Sequence, residues 1–218
     1  MQELKKMKIW LCWIRKKTKD GKWTKVPIAA SGKATGTNEA HRDTWVTYEE
    51  AVRAAKQRHY SGVGFVIPVG YFMLDVDHRD LDDPLVQKML KRFGNTYVEK
   101  SVSGHGVHFL GTVEVDQIET YTDQDGKRRL SRDYYQKNSK LDMELYIGGL
   151  TNRYCTYSGD TINDVPLDDC TEAVQTTLEQ EMKRETKMSG HNSFMNLRIC
   201  GLQIVSVCII DNYKLRFV

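Results

Sequence analysis

No stretch of about 18 uninterrupted apolar residues occurs in the 218-residue chain, and its lysine-bearing start is not followed by a long apolar region with a small-residue cleavage site. The chain is therefore expected to be cytoplasmic, with no membrane partner. There is no C-x-x-C. The five cysteines, Cys12, Cys155, Cys170, Cys200 and Cys208, are odd in number and widely spaced, which argues against a disulfide framework and against a zinc ribbon. They read as reduced thiols, mostly buried. A glycine-rich phosphate loop of the Walker type is missing, which speaks against an ATPase. Internal repeats, a collagen period and heptads are missing too.

What is present is an ordinary globular composition, 40% hydrophobic and 28% charged. The length suits one main unit with at most a small appendage. We place the main unit at residues 1–180 and read 181–218 as a linker, marked by Ser189-Gly190-His191-Asn192, and an apolar tail around Ile199–Ile210. The tail reads equally as a docking strand pair, the start of a truncated module or an out-of-place segment. Net charge is only +3, but it is segregated: residues 1–33 carry ten Lys/Arg against two acids, and residues 34–180 carry sixteen against twenty-four. A basic edge beside an acidic centre suits phosphate binding next to a metal, although a solvated lysine surface gives the same counts.

Alternation in Lys8–Trp13 and Trp23–Ile28 around Lys19-Asp20-Gly21-Lys22 predicts a hairpin. Thr47 with Glu50 three positions on predicts a capped amphipathic helix ending near Tyr60–Gly62. Two apolar runs follow, 62–67 and 70–77, and Pro68-Val69-Gly70 between them predicts that they pair as a hairpin. Asp83-Pro84 opens a second helix that stops at Gly94. Strands are expected at 96–102 and 106–111, an exposed polar excursion at 119–140, further strands at 141–147 and 153–159, and a closing helix from Thr171 to about Lys187. Hairpins interspersed with helices favour an α+β sheet protein over a doubly wound one.

Three segments can carry chemistry. Asp75 and Asp77 end an apolar strand two residues apart, so both side chains lie on one face and together can grip a divalent cation. Glu144 sits in another apolar strand. Either it converges on those acids, or it points to solvent while Met143 and Leu145 point inward. In Ser101-Val102-Ser103-Gly104-His105-Gly106-Val107-His108 the glycines allow close backbone approach by a phosphate, and His108 can donate to one. Trp10, Trp13 and Trp23 can stack bases or fill a core.

Asp75-Val76-Asp77, Gly106-Val107-His108 and Met143-Glu144-Leu145-Tyr146 resemble, in order and approximate spacing, the three motifs of the archaeo-eukaryotic primase superfamily. Lys25-Val26-Pro27, Trp45 before the Glu49-Glu50-Ala51 helix, Gly62-Val63-Gly64-Phe65, Tyr97-Val98-Glu99-Lys100-Ser101 and Arg153-Tyr154 are similar to its phage and plasmid primase-polymerase branch. The similarity spans roughly residues 8–160. Gly106 stands where the family often has serine, and His105 adds bulk to a turn that is usually made of small residues.

The resemblance implies an RRM-like catalytic sheet preceded by an N-terminal α/β unit. It also implies a template-dependent DNA primase or polymerase, with Asp75, Asp77 and Glu144 holding two Mg²⁺ or Mn²⁺ ions and His108 contacting the incoming NTP or dNTP. Ser103, Gly106 and Arg153 are further nucleotide-binding candidates. Lys25, Lys22 and Arg15 are candidates for holding a single-stranded or primed DNA template. In that branch a helicase often follows the polymerase, so a separate replicative helicase is an expected partner. A metal-dependent nuclease using the same carboxylates, or a non-catalytic DNA-binding replication module, are the competing readings.

Overall fold

The computed structural model describes residues 1–185. Of the expected linker and apolar tail at 181–218, only 181–185 are described; the rest, with Cys200 and Cys208, lies outside the described residues. A short helix α1 (Gln2–Lys6) leads into β1 (Trp10–Lys17) and β2 (Trp23–Ile28). These pair antiparallel from Cys12↔Ile28 out to Lys17↔Trp23. Helix α2 (Tyr48–Arg58) carries the expected capping box: Glu50 N donates to Thr47 Oγ1, and Thr47 N donates back to Glu50 Oε2 at 2.9 Å. Its Ala51 and Ala54 are buried. The segment between β2 and α2 contains a 3-10 turn at Glu39–Thr44.

Next come β3 (Gly62–Val66), β4 (Tyr71–Asp77), α3 (Pro84–Arg92), β5 (Tyr97–Lys100) and β6 (Gly106–Thr112). Asp83 caps α3 by accepting from Leu85 N at 2.8 Å, with Pro84 at the first helical position. The chain then makes short strands β7 (Thr120–Thr122), β8 (Arg128–Leu130) and β9 (Lys137–Asn138). It finishes with β10 (Met143–Ile147), β11 (Tyr154–Tyr157), β12 (Thr161–Asn163) and α4 (Thr171–Gln180). The fold is mixed α+β with antiparallel sheets. One sheet has the order β11-β3-β1-β2, a second the order β12-β5-β6-β4-β10-β9, and β7-β8 form a two-stranded ribbon. No helix of the described residues is long and apolar enough to cross a membrane.

The expected pairing of the runs 62–67 and 70–77 is not found. β3 lies between β1 and β11, while β4 lies between β6 and β10 in the other sheet. Pro68-Val69-Gly70 is a turn, closed by Tyr71 N donating to Pro68 O at 3.1 Å, but it passes the chain from one sheet to the next. Gly148 makes that crossing possible, because a Cβ there would stand 1.8 Å from Pro68 O. Both runs are nearly continuous apolar segments, so each satisfies its burial with other partners.

The period of two divides the six-stranded sheet cleanly. On one face Phe72, Leu74 and Val76 of β4 join Val98, Val107, Phe109, Met143, Leu145 and Ile147. They pack under Val86 and Met89 of α3, Phe93 just after it, and Val174 and Leu178 of α4. Fully burying each such side chain contributes roughly 1.5–3 kcal/mol. On the other face Met73, Tyr97, Leu110 and Tyr146 pack with Trp10, Phe65 and Cys155 of the four-stranded sheet. That covers half of the second face and leaves the half bearing Asp75 and Asp77.

Two further expectations are corrected. The polar stretch 119–140 is not simply an exposed excursion, since Leu130 and Tyr134 are buried in the main core. Helix α4 ends at Gln180 rather than near Lys187. There Glu181, 5% exposed, receives Arg92 Nη1 at 2.5 Å and Lys88 Nζ at 2.6 Å, and the chain turns away to pair with Tyr134–Tyr135, where Tyr135 N donates to Met182 O at 2.7 Å. Cys12, Cys155 and Cys170 are buried free thiols.

Replacing Gly148 with alanine forces Pro68 and the end of β10 apart at the crossing between the sheets. We expect a loss of about 3 kcal/mol in urea unfolding, whereas Gly126→Ala, where a Cβ meets nothing within 4 Å, should cost about 1 kcal/mol, from its positive φ alone.

Candidate metal and nucleotide site

β4 is the centre of the site because both its neighbours pair with it in register. Asp75 stands opposite His108 of β6 and opposite Glu144 of β10. His108 in turn is opposite Glu99 of β5, and Glu144 is opposite Lys137 of β9. Directly opposed residues share a face, so Glu99, His108, Asp75, Glu144 and Lys137 form one row of ionisable side chains across five strands. Asp77 is on the same face two residues beyond Asp75.

Glu99 is fully buried at 0% exposed, where an unpaired carboxylate would be very costly. It is satisfied on every side. Tyr97 Oη donates to Oε2 at 3.0 Å, Gly159 N to Oε2 at 3.0 Å, and Ser158 N to Oε1 at 3.1 Å. His108 Nδ1 lies 3.1 Å from Oε1. Because a carboxylate only accepts, Nδ1 carries the proton of that bond, and the ring is fixed with Nε2 facing Asp75 Oδ1 at 3.7 Å. His108 is 2% exposed. Burial alone would favour the neutral ring, but Cys155, Glu99 and Asp75 outweigh it and raise its pKa well above the usual histidine value. Cys155 Sγ packs 3.9 Å from Nδ1.

Asp75 carries the strain of this arrangement. Its Oδ1 is buried with no hydrogen-bond partner. Burial pushes its carboxyl pKa up, Asp77 and Glu144 push it further, and His108 and Lys25 pull against them. Asp77 is more open, and its Oδ1 accepts from His78 N at 3.1 Å. Glu144 shares the face and the register, but Lys137 Nζ and Tyr146 Oη both donate to its carboxylate. Burial alone would raise Glu144, yet those two hydrogen bonds hold it below the usual carboxylate range. Among the described residues no three His, Cys, Asp or Glu side chains close on one point as a ready-made ion cage. Asp75 and Asp77 offer hard oxygens of the kind Mg²⁺ and Mn²⁺ prefer, while both oxygens of Glu144 are engaged, one by Lys137 and one by Tyr146.

The turn from Ser101 to His105 brings Ser103 Oγ to 2.8 Å from Ser101 Oγ. Its exposed His105 faces Asp80, with Nδ1 3.5 Å from Oδ1. Gly106 has φ +147°, and a Cβ there would stand 2.9 Å from Val76 O. Serine at this position would therefore be strained, which gives a physical reason for glycine here. Arg153 lies over the Tyr146 ring, 5.6 Å from its centre, and helps to hold Glu144 ionised. Arg15, Lys22 and Lys25 lie on the β1–β2 hairpin. Trp10 and Trp13 are core residues, whereas Trp23 is 58% exposed.

Sequence reasoning missed Glu99, Lys137 and Tyr146 as parts of the site. The signal for Glu99 was an acid between Val98 and Lys100 in a strand whose neighbours are apolar. Its meaning depends on knowing that β5 pairs with β6 at His108.

Glu99→Gln keeps the shape of the pocket but removes the charge that faces His108. His108 has a raised folded pKa, so the stability it contributes is fully present below the unfolded value of 6.5 and is lost as pH rises through the folded one. The destabilisation of Glu99→Gln, read by urea unfolding, should accordingly be largest near pH 6, about 2 kcal/mol or more, and shrink at alkaline pH. No protein-family model and no curated protein matches the chain.

Proposed function

We propose that this protein is a template-dependent nucleotidyltransferase of the primase-polymerase type, acting on single-stranded or primed DNA. The observation that carries this reading is the orphaned, buried Oδ1 of Asp75 in a carboxylate group that includes Asp77. The five-residue row with Asp77 holds four carboxylates and two basic groups, His108 and Lys137. Fully ionised, it is short of two positive charges, which is the charge of one divalent ion.

Asp75 and Asp77 would hold Mg²⁺ or Mn²⁺, with Glu144 completing the set once Lys137 moves aside. The chemistry that such ions supply when bound is a lowered pKa for an attacking 3′-hydroxyl and neutralisation of the departing pyrophosphate. The chain's own residues do the rest. Glu99 fixes the imidazole of His108, and His108 presents a cationic Nε2–H to the inner carboxylate and to phosphate oxygens drawn to the site. Arg153 offers a guanidinium fork for the triphosphate, and Gly106, with Ser103 in the turn before it, lets the backbone come close to it. Lys25, Lys22 and Arg15 supply sequence-independent attraction for a template. An RRM-like catalytic sheet with an N-terminal α/β unit is the fold that goes with this reading. The six-stranded antiparallel sheet backed by α3 and α4 is compatible with it.

Incubation with labelled dNTPs or NTPs on single-stranded and primed DNA with Mg²⁺ or Mn²⁺ tests the proposal. Incorporation should be abolished by chelation and fall to the no-enzyme background in Asp75→Ala/Asp77→Ala that still melts cooperatively. Strand cleavage in place of incorporation would turn the assignment to a nuclease, and metal-independent DNA binding alone would turn it to a replication module without catalysis.

A further inference from the structure

The β1–β2 hairpin runs past the sheet that anchors it. β3 pairs with β1 only over Trp10–Trp13, while β2 stays paired out to Lys17↔Trp23. The outer half, Ile14–Lys17 with Trp23–Val26, is a two-stranded ribbon. From Arg15 to Lys25 it carries six cations, Arg15, Lys16, Lys17, Lys19, Lys22 and Lys25, against one acid, Asp20. Among the described residues none of the six makes an ion pair with a carboxylate, whereas Arg42, Arg128 and Lys183 elsewhere on the surface each do.

Among the described residues Trp23 is the one exposed side chain of the Phe, Tyr and Trp type. It stands opposite Lys17, and Arg15 stands opposite Lys25, so the period of two sets all four on one face of the ribbon. The Arg15 guanidinium lies 5.1 Å and the Lys17 ammonium 6.0 Å from the centre of the indole. Lys25, two residues further in, is close enough to Asp75 to favour its ionised form. At the rise of a strand, Trp23 is about 7 Å farther out along the same face. The face therefore leads outward from the carboxylates as a strip of cations around a flat ring.

We propose that this ribbon face is a contact for single-stranded DNA, with Trp23 stacking on a base while Arg15, Lys17 and Lys25 meet the flanking phosphates. It rests on the reading of the carboxylate site as a DNA-templated polymerase centre and adds where the template runs. Unpaired cations suit a polyanion, and an indole accepts any base because every base has a π-face, so the binding carries no sequence preference.

Fluorescence anisotropy of a labelled oligo(dT) of about 20 nucleotides, titrated with the full chain at several salt concentrations, tests this. Trp23→Ala should weaken binding about tenfold, and Trp23→Phe should restore most of the affinity, which a merely structural role for an exposed side chain would not require. Arg15→Ala/Lys17→Ala should flatten the log–log salt slope by about 1.4, about 0.7 for each phosphate that is no longer neutralised. Trp23→Ala with wild-type affinity overturns the proposal, as does a wild-type chain that does not bind oligo(dT). Asp75→Ala/Asp77→Ala, which removes negative charge near Lys25, should bind oligo(dT) no more weakly than wild type while losing incorporation, which separates the two readings. Incorporation by wild type with Trp23→Ala binding normally removes the ribbon site alone, and tryptophan-dependent binding without incorporation removes the polymerase alone.

Discussion

The register of β4 between β6 and β10 is the constraint on which the site depends. Asp75 meets His108 on one side and Glu144 on the other only because both neighbours pair with β4 at that position. A slip of one residue in either neighbour would turn its own apolar residues, Val107 and Phe109 or Met143 and Leu145, out of the core and carry His108 or Glu144 into it. The apolar face fixes the polar one. Phe72, Leu74 and Val76 cannot be exposed without losing several kcal/mol, so the packing of α3 and α4 against them holds the acidic residues in line on the opposite side. The close crossing at Pro68 and Gly148 then delivers β4 to that register from the other sheet.

Within the row, two strategies for carrying buried charge stand side by side. Glu99 is surrounded by four donors, none of them a metal, and its role is to hold the histidine. Asp75, two strands away, keeps a buried oxygen with no hydrogen bond, His108 Nε2 standing off at 3.7 Å. Native proteins leave few such atoms, and those that remain tend to be at sites that bind something. The contrast separates the supporting end of the row from the end that is open to chemistry.

Much of this was legible in the sequence, and the residues show why. The alternation in Met73–Asp77 and in Met143–Ile147 identifies each strand and its apolar face. The two readings left open for Glu144, convergence on the acids or orientation away from Met143 and Leu145, turn out to be the same orientation, because the face opposite the core is the face of Asp75. The capping box at Thr47 and the Asp83-Pro84 helix start are local signals that tertiary packing had no reason to override. What failed was non-local. Pro68-Val69-Gly70 has the chemistry of a hairpin turn, but which sheet each flanking strand joins is decided by partners far away in sequence. The length of α4 was misjudged for the same reason, since Glu181 is drawn to Arg92 and Lys88 of another helix. Nor can spacing alone tell that Trp10 and Trp13 are core while Trp23, ten residues on, lies in water.

The Lys137–Glu144 pair has a consequence for the order of events in the protein's life. An ammonium already seated on the third acid acts as an internal counter-ion, so the sheet can close without waiting for a metal to offset the repulsion between its carboxylates. On the proposed reading, folding and metal loading are thereby uncoupled: a chain that closes with Lys137 in place would not need divalent ions in order to fold, and an arriving ion would displace a tethered cation.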